Sequence, residues 1–528
     1  MIDRILTVGG MTLLSRVTGF ARDIVLAAVL GAGPAADAFF VALRLPNHFR
    51  AIFAEGAFNA AFVPAYARVR GTAGAEAAGV FADRVFTLLL AVQVVLLAVA
   101  LLFTPTVIDL LAPGFAGDPG RYGLAVELTR ITFPYLLLVS LVTLYGGILN
   151  ALDRFASAAA APILLNLSMI MALALSAFFP TAGHAAAWGV LIAGVLEVLL
   201  VAGDAARQGV VPRLRWPRFD VEVTQFLKRF GPATIGSAET QIALFADTII
   251  ASFLAAGALS ALYYADRINQ LPVGVIGIAA GTVLLPEMAR RITAGDETGA
   301  RHAQNRAVEL TLLLCVPCLV AFLLVPELIM RALFGRGAFT AADAEAAGAT
   351  LMAYGVGLLP FVLMRSATVT FLSRGDTTTP VKALFVAVAV NVALKVVLMQ
   401  RYAQVGLALA TSIGAWVNLS LLCWFAARQG LLSIDRELRQ SVWRLAVAGL
   451  ALAAAVAAGQ WALARLFERG VPLRDEALLA ALAVLGAVVY GAMVLMLFGR
   501  RLRALLRRRA VAVPPGIDHE GTHGGTAA

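Results

Sequence analysis

Asp37, Arg44, His48 and Glu55 are spaced by 7, 4 and 7 residues within one largely apolar stretch. At about 100° per residue, all four lie within roughly 20° of a single line along a helix. An ionised side chain at the centre of a bilayer costs at least about 2.5–3.5 kcal/mol, so such a stripe cannot face hydrocarbon. It must line a wet cavity, or form an interhelical ladder in which Asp37 pairs with Arg44, or Glu55 with an arginine elsewhere. Arg50 falls off the stripe on a straight helix, although Pro46 should bend the axis and bring it round.

Two further stretches concentrate charge among apolar residues. One is Ser15-Arg16-Val17-Thr18-Gly19-Phe20-Ala21-Arg22-Asp23, and the other runs from Tyr263-Tyr264-Ala265-Asp266-Arg267 to Gln270-Leu271-Pro272. Arginine at such depth suits a phosphate or pyrophosphate, because its guanidinium is always charged and binds oxygens in pairs. In the first two stretches Arg16, Arg22, Arg44 and Arg50 face Asp23, Asp37 and Glu55. That is a surplus of a single cation, so anion selectivity has to come from placement. Asp247 is either an ion-coupling acid or a helix–helix hydrogen-bonding group. Lys395 is expected to snorkel toward the outer interface.

The elements that carry these residues follow from composition. Of 528 residues, 60% are hydrophobic and 14% charged, with a mean hydropathy of +0.86. A soluble domain has about 25% charged residues, so a water-soluble enzyme is excluded. Apolar runs of about 20 residues, enough to cross a bilayer, recur along the whole chain. Segmentation predicts an all-α polytopic membrane protein with about fourteen spans, the second covering 36–66, the eleventh 379–400 and the last 477–498. The net charge of +10 does not signal nucleic acid, since the basic residues sit in short loops between spans. With this segmentation 27 Lys/Arg residues fall on the side of the N-terminus and 7 on the other, which predicts cytoplasmic termini. The first span, interrupted by Arg16, Arg22 and Asp23, does not read as a cleaved signal.

A repeat offset by roughly 220 residues divides the chain. Pro64-Ala65-Tyr66-Ala67-Arg68 is echoed by Pro286-Glu287-Met288-Ala289-Arg290, and Arg84 with Pro105 by Arg306 with Pro326. Six spans per copy give like-oriented lobes, residues 1–218 and 219–430, around a central cavity. Residues 431–500 add two spans, and 501–528 form a basic tail. The Arg500–Arg509 cluster reads as an anchor on anionic lipid, and the Pro/Gly-rich remainder with His519 and His523 as disordered.

No catalytic constellation and no nucleotide-binding loop is present, so transport has to draw on gradients rather than ATP. Cys315-Val-Pro-Cys318 has redox spacing but no βαβ context or partner ligands, and reads as packing beside a helix kink. No cofactor or metal is expected.

The combination of Ser15–Asp23, Ala36-Asp37-Ala38-Phe39-Phe40-Val41-Ala42, Leu45-Pro46-Asn47, Ile52-Phe53-Ala54-Glu55-Gly56-Ala57-Phe58, Tyr263–Arg267 and Gly281-Thr282-Val283-Leu284-Leu285-Pro286 resembles the MurJ (MviN) lipid II flippase family. That family belongs to the multidrug/oligosaccharidyl-lipid/polysaccharide exporter superfamily. The resemblance implies a bacterial inner-membrane flippase moving undecaprenyl-pyrophosphate-linked disaccharide pentapeptide to the outer leaflet for peptidoglycan synthesis. It also implies membrane lipids and other cell-wall synthesis proteins as partners. Carried over by the resemblance, Arg16, Arg22, Arg50 and Arg267 form a cationic cavity, with Asp37 and Ser260 as further substrate-binding residues. Gln270 stands where family members often have Glu, and the last two spans would form a groove for the polyprenyl tail. The competing readings are a cation-coupled drug exporter of the same superfamily, which would want an acid-rich cavity, and a membrane scaffold in which the buried charges are ladders.

The Lys/Arg asymmetry is directly checkable. Reporter fusions after Arg70, within Arg207–Arg218 and after Arg509 should report cytoplasm, and fusions near Gly183 or Gly257 periplasm; one robust reversal would overturn the layout.

Overall fold

A computed structural model describes residues 2–50, 57–466 and 473–511. Glu55, with Ile52-Phe53-Ala54 and Gly56, lies outside the described residues, as do His519 and His523. The described chain is built of helices: α1 (Ile2–Leu30), α2 (Pro34–Phe49), α3 (Ala57–Leu102), α4 (Thr104–Leu111), α5 (Pro119–Thr132), α6 (Pro134–Ala151), α7 (Ala156–Ala174), α8 (Ala182–Arg207) and α9 (Val221–Ser252) come first. They are followed by α10 (Ala258–Pro272), α11 (Ile278–Thr293), α12 (Glu297–Leu324), α13 (Pro326–Phe334), α14 (Ala341–Leu372), α15 (Thr378–Arg428), α16 (Arg436–Leu466) and α17 (Arg474–Val511).

Among the described residues ten helical stretches are long and apolar enough to cross a membrane. The protein is therefore an all-helical, multi-pass membrane protein, in which each helix satisfies its own backbone in lipid. Ten is not a count of crossings. The set leaves out α1, whose middle carries Arg16, Arg22 and Asp23, and it takes the 51 residues of α15 as one stretch. At Ala403 (φ 46°, ψ −128°) the helical path of α15 breaks. A Cβ placed on Gly406 would stand 2.4 Å from the Leu398 carbonyl oxygen, whereas a straight helix would separate these residues by about 12 Å. The chain thus doubles back there as a hairpin. Gly74 (φ 89°) interrupts α3 in a similar way.

Helices pack closely within residues 1–218 and within residues 219–430. In the first, α7 packs on α1 and α8, and α6 on α3 and α8; in the second, α14 packs on α10, α12, α13 and α15. The repeated prolines lie in the first turns of two short helices: Pro105 is the second residue of α4 and Pro326 the first of α13, each helix following a break in a longer one, at Phe103 and Val325. Proline fits the first helical turn, where its missing N–H would have had no partner. The start of α9 is pinned to the first half, where Phe226 and Phe230 join Phe58, Phe62 and Phe81, and Asp220 and Glu222 pair with Arg84 and Arg68.

The last two helices pack on each other and are held to the second half at both ends. Arg306 on α12 pairs with Asp435 just before α16, and Arg331 and Arg336 pair with Asp475 and Glu476 at the start of α17. Burial works against ionising Asp435, but the Leu438 amide, Asn305 and Arg306 outweigh it and hold the carboxyl below its ordinary range. The Arg500–Arg509 cluster continues α17 as helix to Val511.

Cys315 and Cys318 lie on α12 as free thiols; Cys315 is fully buried and the Cys318 thiol is directed at the Leu314 carbonyl, 3.7 Å away. Replacing both with Ala should leave growth of a depleted, complemented strain intact; loss of growth at normal protein abundance would reveal a chemical role for the pair.

Candidate substrate cavity and lobe clasp

The charged stripe on α2 turns toward the second half of the molecule. Asp37 reaches α10, Arg44 lines a cavity beside Asp266, and the His48 ring meets Phe245 of α9 edge-on at 4.6 Å. Asp37 and His48 are buried, so the stripe is an inter-lobe contact line and not one wet face. The Asp37–Arg44 ladder does not form. The guanidinium facing Asp37 is that of Arg121 on α5, 3.4 Å away and itself only 6% exposed.

Asp37 is fully buried and caps a helix of the opposite lobe. Its Oδ1 accepts from the Ser260 hydroxyl at 2.6 Å and the Ser260 amide at 2.9 Å, and its Oδ2 accepts from the Gly257 amide at 2.8 Å. Those amides belong to the start of α10, where the first N–H groups have no partner within their own helix and the helix dipole favours a negative charge. Backbone contacts tighten the same end. The Ala338 amide donates to the Ala28 carbonyl at 2.7 Å, and the Tyr264 hydroxyl to the Gly31 carbonyl at 3.2 Å. Gly337 (φ 58°) and Gly257 (φ 90°) approach the Ala28 and Ala32 carbonyls so closely that a Cβ would collide, at 2.2 and 2.6 Å. Asp37 and Ser260, which the resemblance groups with the substrate-binding residues, are thus brought together in a sealed clasp and do not line the cavity.

Inward of the clasp lie two adjoining cavities of about 640 and 410 Å³. Arg16, Arg22 and Arg50 line the smaller and Arg44, Arg365 and Lys395 the larger, while Arg267, Gln270 and Gly274 border both. Among the described residues, the lining presents seven cationic side chains against three carboxylates, Asp23, Asp247 and Asp266. The described lining is net positive because Arg267, Arg365 and Lys395 join the arginines of the first two helices while Asp37 is held elsewhere. A low-dielectric wall of one sign focuses its field on an anion.

The arginines are held by a network that crosses the lobes. Arg22 donates to Asp23 Oδ1 at 2.7 and 3.1 Å and to Asn166 Oδ1 at 3.1 Å; Asn166 in turn donates to the Ser15 carbonyl and the Thr18 hydroxyl. Asp23 Oδ2 lies 3.4 Å from Arg267 Nε, and Arg267 donates to the Tyr263 hydroxyl at 2.9 Å, which donates to Asp23. Tyr263 stacks on Phe40 with centroids 3.9 Å apart. The guanidinia of Arg22 and Arg267 therefore keep a set direction. A π-helical turn, Val273–Gly277, follows Pro272 and brings Gly274 beside Arg16 and Gly277 beside Arg365. Gln270 donates its side-chain amide to Asp266, a role that an ionised Glu could not fill.

Lys395, expected at the outer interface, is 1% exposed and pairs with Asp247 across α15 and α9. A carboxylate within reach offers the ammonium a partner that spares it the longer extension to the interface. Asn166, Tyr263 and Arg365 were not singled out from sequence as site residues. A lone Asn or Arg in an apolar run is the signal that marks two of them.

A family model described as lipid II flippase MurJ matches residues 26–471. The probable lipid II flippase MurJ of Rhizobium tropici is 41% identical over 494 residues, covering 93% of this chain and 86% of the relative. The lipid II flippase MurJ of Burkholderia cenocepacia is 33% identical over 518 residues, covering 96% and 99%. Among solved structures, a lipid II flippase MurJ in an inward closed conformation aligns with a TM-score of 0.78 at 23% identity, covering 95% of this chain and 99% of that one. An inward-facing multidrug resistance MATE family transporter of the MOP superfamily aligns with a TM-score of 0.58 at 14% identity, covering 81% and 98%. Both share the fold, and the sequence relatives carry the assignment further: the chain belongs to the MurJ lipid II flippase family.

Proposed function

We propose that this chain flips the lipid-linked peptidoglycan precursor lipid II from the cytoplasmic to the periplasmic leaflet of the bacterial inner membrane. The observation that carries the reading is the cationic cavity between the lobes, walled by seven basic side chains and sealed at one end by a neutralised clasp. Arg16, Arg22, Arg50 and Arg267 bind the pyrophosphate, and Arg44 and Arg365 extend the positive wall. Family membership supports transport rather than catalysis. A cation-coupled drug exporter would want the opposite sign of charge.

The layout in the proposal has about fourteen crossings, with both termini cytoplasmic. It comprises lobes 1–218 and 219–430, the added spans within 431–500 and the basic tail 501–528. The hairpin at Ala403, the break at Gly74 and the paired breaks before Pro105 and Pro326 support it. The clasp closes the periplasmic end, so the headgroup enters from the cytoplasm while the tail stays in lipid. Release of Asp37 from α10 opens the exit and turns Asp37 and Ser260 to face the departing headgroup, which reconciles their burial here with a substrate-facing role. Asp247, the candidate ion-coupling acid of the second lobe, is paired with Lys395, so no free coupling ion is assigned to it.

Each of Arg16→Ala, Arg22→Ala, Arg50→Ala and Arg267→Ala removes charge-assisted hydrogen bonds worth about 1.5–3 kcal/mol in a poorly solvated site. Lipid II translocation by the purified variants should fall by roughly 10- to 150-fold at normal membrane abundance. Arg→Lys should restore part of it, because the ammonium keeps the charge and loses the paired geometry. Normal translocation in all four Ala variants would contradict the anionic-lipid cavity. Low abundance relieved by neutralising a nearby acid would favour the scaffold reading.

A further inference from the structure

Asp247 borders the larger cavity with its side chain 32% exposed, a carboxylate facing a chamber at membrane depth. Such a group needs a compensating cation, whether a proton, a metal ion or a basic side chain. Four basic side chains line that chamber, and their places are distinct: Arg44 lies beside Asp266, Arg267 pairs with Asp23, Arg365 stands beside Gly277, and Lys395 pairs with Asp247. The stem of Lys395 is buried and its ammonium is directed at Asp247, 148 residues away in sequence. The two helices involved, α9 and α15, pack on each other within the half of the chain that follows the repeat boundary. The pair therefore does not span the clasp, and parting the lobes need not break it.

We infer that Lys395 is a tethered counter-cation for Asp247, filling the place that a free alkali cation would otherwise take, so that the transport cycle requires no such ion at this site. The surroundings show what that place would offer if vacated. Asn391, one turn before Lys395 and on the same helical face, has a buried Oδ1 with no hydrogen-bond partner, and Thr411 lines the same chamber. A carboxylate, an amide oxygen and a hydroxyl are hard oxygen donors of the kind that small cations prefer. The inference rests on the transporter reading for its meaning, while its test needs no substrate.

The test is the thermal stability of the purified full-length protein in sodium chloride against N-methyl-D-glucamine chloride at equal ionic strength. A ligand that binds only the folded state raises the melting temperature. The wild-type protein should melt at the same temperature in both salts. Lys395→Ala should be stabilised by several degrees in sodium, and Asp247→Asn/Lys395→Ala should lose that response. Stabilisation of the wild type by sodium overturns the inference, and so does a Lys395→Ala protein that folds yet ignores sodium. Should Lys395→Ala not fold in either salt, the charge-neutral double variant folding normally supports the pairing, and its failure as well overturns it. A wild-type protein that behaves as expected here but moves no lipid II would sink the flippase reading and leave this inference standing.

Discussion

A single buried carboxylate, Asp37, joins the two lobes by capping a helix that is not its own. Three donors from the start of α10 and the guanidinium of Arg121 surround it, and no water is needed to satisfy it. Removing one member of such a set strands a charge in a low-dielectric interior, which makes the closed state well defined. The set is also compact and lies at one end of the molecule. Separating α2 from α10 by a few ångströms would cost all three hydrogen bonds together, so the arrangement favours two discrete states over a continuum.

The clasp also determines the electrostatics of the cavity. With Asp37 sequestered, Asp23, Asp247 and Asp266 are the acids of the wall among the described residues, and two of these are already engaged by basic side chains. Asp23 has a second task. It sits between Arg22 on α1 and Arg267 on α10, so these two guanidinia share one acid. A pyrophosphate entering between them would compete with Asp23 for the same N–H groups. Such competition would link anion binding to the contact between α1 and α10.

The class of fold was legible in the sequence, because hydrophobic runs are a local property that the bilayer converts directly into helices. The cationic stretches were legible for the same reason: Arg16, Arg22 and Arg267 stand out against apolar neighbours. What could not be read was partnership. Arg121 lies 84 residues from Asp37, with nothing in the local sequence to connect them, yet it is buried against that acid. Lys395 was expected to extend toward the interface because no acid lies near it in sequence; the hairpin at Ala403 and the packing of α15 on α9 bring Asp247 to it. The stripe on α2 was recognised as one face, but what it faced depended on tertiary packing. Its members meet α10, a cavity and α9 in turn.

The central claim is that the clasp must open once in each transport cycle. Ala28 and Ala338 meet across it through a backbone hydrogen bond of 2.7 Å, close enough for a cystine to bridge the lobes. In a background with Cys315, Cys318 and Cys423 replaced, the Ala28→Cys/Ala338→Cys protein should be reconstituted with lipid II and its translocation followed before oxidation, after it, and after reduction. Translocation should stop when the disulfide forms and return when it is reduced, with neither single cysteine variant responding. Undiminished translocation by fully cross-linked protein would contradict the central claim.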